Sequence, residues 1–280
     1  MKTFKYKYLL LFSLFASISI GFTACSDDDD DNDEIVVNQT NNNTSCTSLT
    51  ATDTNGVKLT VNMVQRANNM NLVMNTNNKP YTNAMGHSFN VSKLKYLISD
   101  LTFHKVDGNC FTLEGYHFVD ASDSTTITYI PQARLPLGDY TKISFTFGFD
   151  EEDNVKGPNY TDLNLVPWGW PDPLGGGYHF MQLEGDYDSS GTSKFFATHM
   201  GTAADRSVNP PLFTVNHFNS EVDTNFTVNS DFELKLVMNI EQWYEDPYTW
   251  DFNVYNAPIM PVYDAQIRLN ENGPSVFSIE

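Results

Sequence analysis

Apolar and polar side chains alternate with period two in three well-separated stretches of this chain. Leu59, Val61 and Met63 alternate with Lys58, Thr60 and Asn62. Ile143, Phe145, Phe147 and Phe149 form a second apolar row, and Phe232, Leu234, Leu236, Met238 and Ile240 form a third. Successive side chains of an extended chain point to opposite faces, so each stretch predicts a half-buried antiparallel strand. Turn formers lie between them: Asp107-Gly108, Leu137-Gly138-Asp139, Asn209-Pro210-Pro211 and Glu271-Asn272-Gly273-Pro274. No window has the spacing of a long amphipathic helix, and one helical turn is expected over Glu241–Glu245. The pattern predicts an all-β fold, an antiparallel β-sandwich or irregular barrel with long loops.

The N-terminus reads as a leader. Lys2, Lys5 and Lys7 precede an apolar run from Leu9 to Phe22, interrupted by Ser13, Ser17, Ser19 and Gly21. A membrane span needs about 20 apolar residues, so this run fits the core of a signal peptide instead. It ends in Phe22-Thr23-Ala24-Cys25, which predicts a signal peptide over residues 1–24 and lipidation of Cys25. The alternative is an ordinary signal peptide with Cys25 incidental. Ser26 and Asp27 to Asp31 follow, and a block of like charges repels itself. With the Asn-rich stretch from Asn38 to Thr44 they make residues 25–44 a tether, leaving residues 45–280 for the folded domain. The acidic block resembles the signal that follows the lipidated cysteine in surface-exposed lipoproteins. The expected location is therefore the outer membrane, lipid-anchored and facing the cell surface.

A formal charge of −19 argues against nucleic acid and anionic lipid headgroups as partners. With Cys25 assigned to lipid, Cys46 and Cys110 remain as an even pair in an oxidising compartment, which predicts one disulfide. A metal site shared by the two cysteines is the alternative, although no second pair completes a four-cysteine set.

The chain lacks the common catalytic signatures (GxSxG, HExxH, P-loop, GxGxxG and CxxC), so no enzymatic activity is expected. Proline and glycine crowd the segment from Val166 to Gly177, which predicts a loop carrying Trp168 and Trp170. Those rings have two readings: packing at the end of a sandwich, or a binding platform for glycan or peptide on a surface adhesion module. Asp150 to Asn154 and Asp186 to Ser189 are acidic loops without EF-hand spacing, and solvated turns are the expected role.

Six histidines are present, and methionine stands beside three of them. Met85 precedes His87 by two, Met181 follows His179 by two, and Met200 adjoins His199. Imidazole with thioether is a donor set that suits copper, above all Cu(I). In a strand, residues two apart share a face, so His179 and Met181 are expected to converge while His199 and Met200 point apart. His217 reads as a partly buried histidine. His104 and His117 flank the Asp107-Gly108 turn on neighbouring strands.

Several blocks resemble the MbnP-like family of exported copper-binding proteins: Tyr81 to Gly86, Val91 to Leu101, Gly177 to Gly185, Thr198 to Gly201, Met238 to Tyr244, Ile259-Met260 and Asn272 to Ser278. The resemblance spans roughly Val57 to Ile279. It implies a β-rich, copper-binding protein in which histidines, and in some members a tryptophan oxidised to kynurenine, hold the metal. In those members a dihaem, peroxidase-like partner enzyme installs the modification. Carried onto this chain, the resemblance puts copper at His179 and His199, with an oxidised Trp168 or Trp170, and the spacing of Met181 from His179 adds a thioether as the alternative further ligand. Trp243 is the alternative modified tryptophan. Metal acquisition or buffering is the implied role.

Overall fold

The computed structural model describes residues 45–157, 160–165 and 167–280. The expected signal peptide, the lipidated Cys25 and the tether lie outside the described residues. Each period-two stretch forms a strand: Leu59–Ala67, Gly138–Phe147 and Phe232–Asn239. A nine-stranded sheet and a five-stranded sheet pack face to face, with a two-stranded ribbon beside them. Phe147 of the large sheet lies 5.1 Å from Trp243 and 5.6 Å from Phe277, ring centre to ring centre, and Phe145 lies 4.9 Å from Phe277. Aromatic side chains thus fill the layer between the sheets, as the all-β sandwich requires.

One strand organises the large sheet. Lys93–Lys105 pairs along one edge with Cys110–Asp120, but on its other edge it changes partner. Lys93 to Tyr96 pair with the Met181–Ser189 strand, and Ile98 onwards pair with Gly138–Phe147. At the fork the Leu97 amide donates to the Phe180 carbonyl, and the Gly148 amide donates to the Leu97 carbonyl. Beyond the fork the ladder bulges at Asp100, whose φ is +53°. The fork brings the start of the Met181 strand, and the loop leading into it, against the middle of the sheet.

Two features depart from the pattern predicted by the sequence. Leu59–Ala67 and Phe232–Asn239 pair parallel, in a continuous register from Leu59–Phe232 to Arg66–Asn239. Alternation fixes which side chains are buried and not which way a neighbour runs; nearly the whole large sheet serves as the crossover between these strands. An α-helix also covers Tyr263–Asn272, ending at the Asn272-Gly273-Pro274 segment expected to be a turn between strands. Its buried face carries Ala265 and Leu269 together with Gln266 and Asn272, so the apolar stripe is too thin to read as helical. No side chain caps its start at Val262. The turn expected over Glu241–Glu245 is a 3-10 turn at Ile240–Tyr244. The predicted disulfide joins Cys46 to Cys110 with Cα atoms 4.7 Å apart.

Candidate metal centre

Trp168 and Trp170 are carried into the interior by a loop that folds back on itself. The Trp170 amide donates to the Gly177 carbonyl at 2.8 Å, and Gly169 bridges to Tyr178. A 3-10 turn at Asp172–Leu174 reverses the chain, and Gly175, Gly176 and Gly177 return it with φ of +104°, +69° and +83°. L side chains rarely adopt that left-handed region, which is why three glycines stand in a row. Trp168 and Trp170 are 1% and 0% exposed, so neither ring is available as a stacking platform. The packing reading is the one that holds, and surface binding through this loop loses its footing.

Between the two indoles sits His179, 6% exposed. Its ring lies 5.6 Å from Trp168 and 4.9 Å from Trp170, centre to centre. The Trp168 carbonyl lies 2.8 Å from the His179 backbone N–H and 3.0 Å from its ring Nδ1. A carbonyl only accepts, so Nδ1 carries the proton and Nε2 keeps its lone pair. Burial depresses the His179 imidazole to about 4, so the ring is neutral at physiological pH.

His199 comes from the neighbouring strand, Thr192–Met200, and its ring centre is 5.3 Å from that of His179. Its Nε2 lies 2.8 Å from Glu184 Oε1, which Lys93 Nζ also approaches at 2.7 Å. Burial pushes the Glu184 carboxyl up, but the hydrogen bonds from Lys93 and His199 outweigh it and hold the group below its usual range. Burial keeps His199 below its ordinary value as well. A neutral His199 donates through Nε2 to this carboxylate and leaves Nδ1 free, an arrangement typical of metal-bound imidazoles. An ion bonded at about 2 Å to one nitrogen of each ring would stand about 3 Å from each ring centre, so the observed separation is within its reach.

Met181 and Met200 do not join them. Residues opposite one another in an antiparallel ladder share a face. Gln182 is opposite His199, and Met181 is opposite Met200. Met181 and Met200 therefore point into the main core, away from the histidines. The spacing rule failed for Met181 because His179 precedes the strand, where the chain is not regularly extended. His199 and Met200 do point apart. Trp243 is remote from this group: its ring packs on Phe147, Phe218 and Phe277 between the sheets. His87, His104 and His117 have other partners, respectively Asn253, Ser144 and the Thr126 carbonyl.

Glu184, Lys93 and Met260 lie in blocks that carry the resemblance but were not among the expected ligands. Met260 and His199 line one apolar cleft of about 340 Å³, with Glu184, Phe195, Ala197 and Pro258. Met260 also packs on the small cluster of Trp170, Leu174 and Ala204. Only the Glu184–His199 pairing had a sequence signal, as two polar residues that an antiparallel hairpin brings to one face. The helix Tyr263–Asn272 braces this end of the strand: Gln266 Nε2 donates to the His199 carbonyl at 2.8 Å, and the Gly201 amide donates to Gln266 Oε1 at 3.3 Å. Gly201 makes room for Trp170, since a Cβ there would lie 2.5 Å from the indole Cε3.

The two indoles differ in one respect. Trp170 Nε1 donates to the Leu174 carbonyl at 3.2 Å, whereas Trp168 Nε1 is buried without a hydrogen-bond partner. An unpaired buried donor costs about 1–3 kcal/mol and calls for an explanation.

Comparison with known proteins places the chain in a family. A family model described as MbnP matches residues 56–261, which include every residue of the pair's surroundings named above except Gln266. The match stops before the Asn272 to Ser278 block. No curated protein matches the chain. Among solved structures, MbnP from Methylosinus trichosporium is similar at 10% identity, with a TM-score of 0.49, covering 79% of this chain and 97% of that chain.

Proposed function

This chain belongs to the MbnP family, and from that premise we propose that it is a copper-binding protein holding one ion between His179 and His199. The observation that carries the reading is the pairing of two neutral imidazoles, one buried and one partly buried, each with one nitrogen tied back by a hydrogen bond and the other free. Neutral donors in a mostly apolar surround suit Cu(I), and the cleft beside His199 gives an ion a way in. Two further donors stand nearby. Met260 offers a thioether from the wall of that cleft. Trp168, whose indole N–H is unpaired against the His179 ring, is the tryptophan whose oxidation would place new ligand atoms there. A dihaem, peroxidase-like enzyme remains the proposed source of such an oxidation. Acquisition or buffering of copper at a lipid-anchored, outer-membrane location is the role that follows from the leader and the family.

The test is a Cu(I) titration of the purified domain, with intact mass recorded alongside. The parent should bind one equivalent tightly. His179→Ala and His199→Ala should each weaken binding at least tenfold while leaving the circular-dichroism spectrum intact. Parent-like copper affinity in both variants would remove this site. A mass increase that maps to Trp168 would identify the modified ring.

A further inference from the structure

A second group of metal-ligand side chains lies elsewhere on the large sheet. Cys46, Cys110 and His104 each present one ligand atom, and these atoms all lie within 4.8 Å of one another. Among the described residues no other set of three His, Cys, Asp or Glu side chains meets that condition. His104 stands opposite Cys110 in the antiparallel ladder, so their side chains leave the sheet on the same face. The Ser144 hydroxyl, 2.7 Å from His104 Nε2, fixes the ring. Burial, with the Lys142 charge, holds His104 below its ordinary value and keeps it in the neutral form that binds metals. Cys46 and His104 also line an open cleft of about 230 Å³, together with Asp100, Ser144 and Glu221. Cys110 is buried.

We propose that the Cys46–Cys110 disulfide masks a second metal site, which opens on reduction and takes one Zn²⁺ or Cu(I) on two thiolates and the His104 imidazole. The chemistry balances with a dithiol reductant. The dithiol supplies two electrons and two protons, the sulfur–sulfur bond breaks to two thiols, and the reductant leaves as its cyclic disulfide. Both thiol protons pass to solvent as the cation binds, leaving two thiolates with a neutral imidazole. Three protein ligands leave water the fourth position of a tetrahedral ion. Two sulfurs sharing an ion stand further apart than two sulfurs in a bond, so one of them moves. Cys46 is the mobile partner: it precedes a three-residue strand, Thr47–Leu49, that pairs only with Cys110–Asp120. Cys110 belongs to an eleven-residue strand paired along its length. This site shares no residue with the histidine pair.

Cobalt(II) is the probe, because thiolate ligation gives it a charge-transfer absorption that imidazole alone does not. The domain is reduced with a dithiol, desalted without oxygen and titrated, with the sheet signal followed by circular dichroism. The reduced parent should develop the thiolate band at one equivalent, and the oxidised parent should not. His104→Ala should weaken reduced-state binding at least tenfold, and His199→Ala should leave it unchanged. Absence of the band in the reduced protein, equal affinity in His104→Ala, or loss of the sheet signal on reduction would each overturn the proposal. Loss of copper binding in His199→Ala, by contrast, bears only on the histidine pair.

Discussion

At the residue scale, the histidine pair is defined by what surrounds each ring. His179 is neutral because burial disfavours its charged form, and His199 is aligned because its Nε2–H donates to Glu184, itself held by Lys93. This predicts a pH dependence with a definite sign. The unfolded chain protonates His179 near 6.5, while the folded chain resists until about 4. Between those values the unfolded state binds the extra proton, so stability falls as the pH drops from 6.5 towards 4, by roughly 3 kcal/mol in total. Chemical denaturation at a series of pH values should show that loss in the parent and a shallower one in His179→Phe. Identical slopes would mean that His179 is not shielded from water. The sequence named both histidines and implied that His199 and Met200 diverge. It misplaced Met181, because spacing in sequence reports a shared face only inside a strand. It also passed over Glu184 and Lys93, whose roles depend on ladder register.

At the scale of elements, the site is where a loop, a hairpin and a helix meet. The loop's tryptophans were legible as a cluster, but their burial was not, since proline and glycine density says only that regular structure is absent. The helix Tyr263–Asn272 was hidden because its buried face uses Gln266 and Asn272 as polar plugs. Gln266 spans the His199 carbonyl and the Gly201 amide, so the helix sets the height of the strand end under His199. Gly201→Ala tests how tightly these elements interlock. The added methyl would meet Trp170, and overpacking of this kind costs about 1–3 kcal/mol. Displacing Trp170 displaces His179, so copper affinity should fall along with the melting temperature. A variant that loses stability but binds copper as the parent does would show that Trp170 is only filler.

On the scale of the whole molecule, the two sheets are held by side chains from distant parts of the chain. Leu236 is 1% exposed and lies opposite Met63 in the parallel ladder. Leu236→Ala should cost about 2–5 kcal/mol. Hydrogen exchange should then quicken together in Leu59–Ala67 and Phe232–Asn239, because neither strand keeps its ladder alone. Faster exchange in one strand only would separate them into independent units. The direction of this pairing was beyond the sequence, since alternation is the same for parallel and antiparallel neighbours. It has a consequence for the protein's history as well as its stability. Residues near 60 are made early, and the strand they need is made almost last. Met70–Asn71 and Thr128–Tyr129 pair with the first long strand of the small sheet early, but its other edge has no partner until nearly the whole chain has left the ribosome. That unpaired edge must wait through most of synthesis, the interval in which an exposed strand most readily meets a wrong partner.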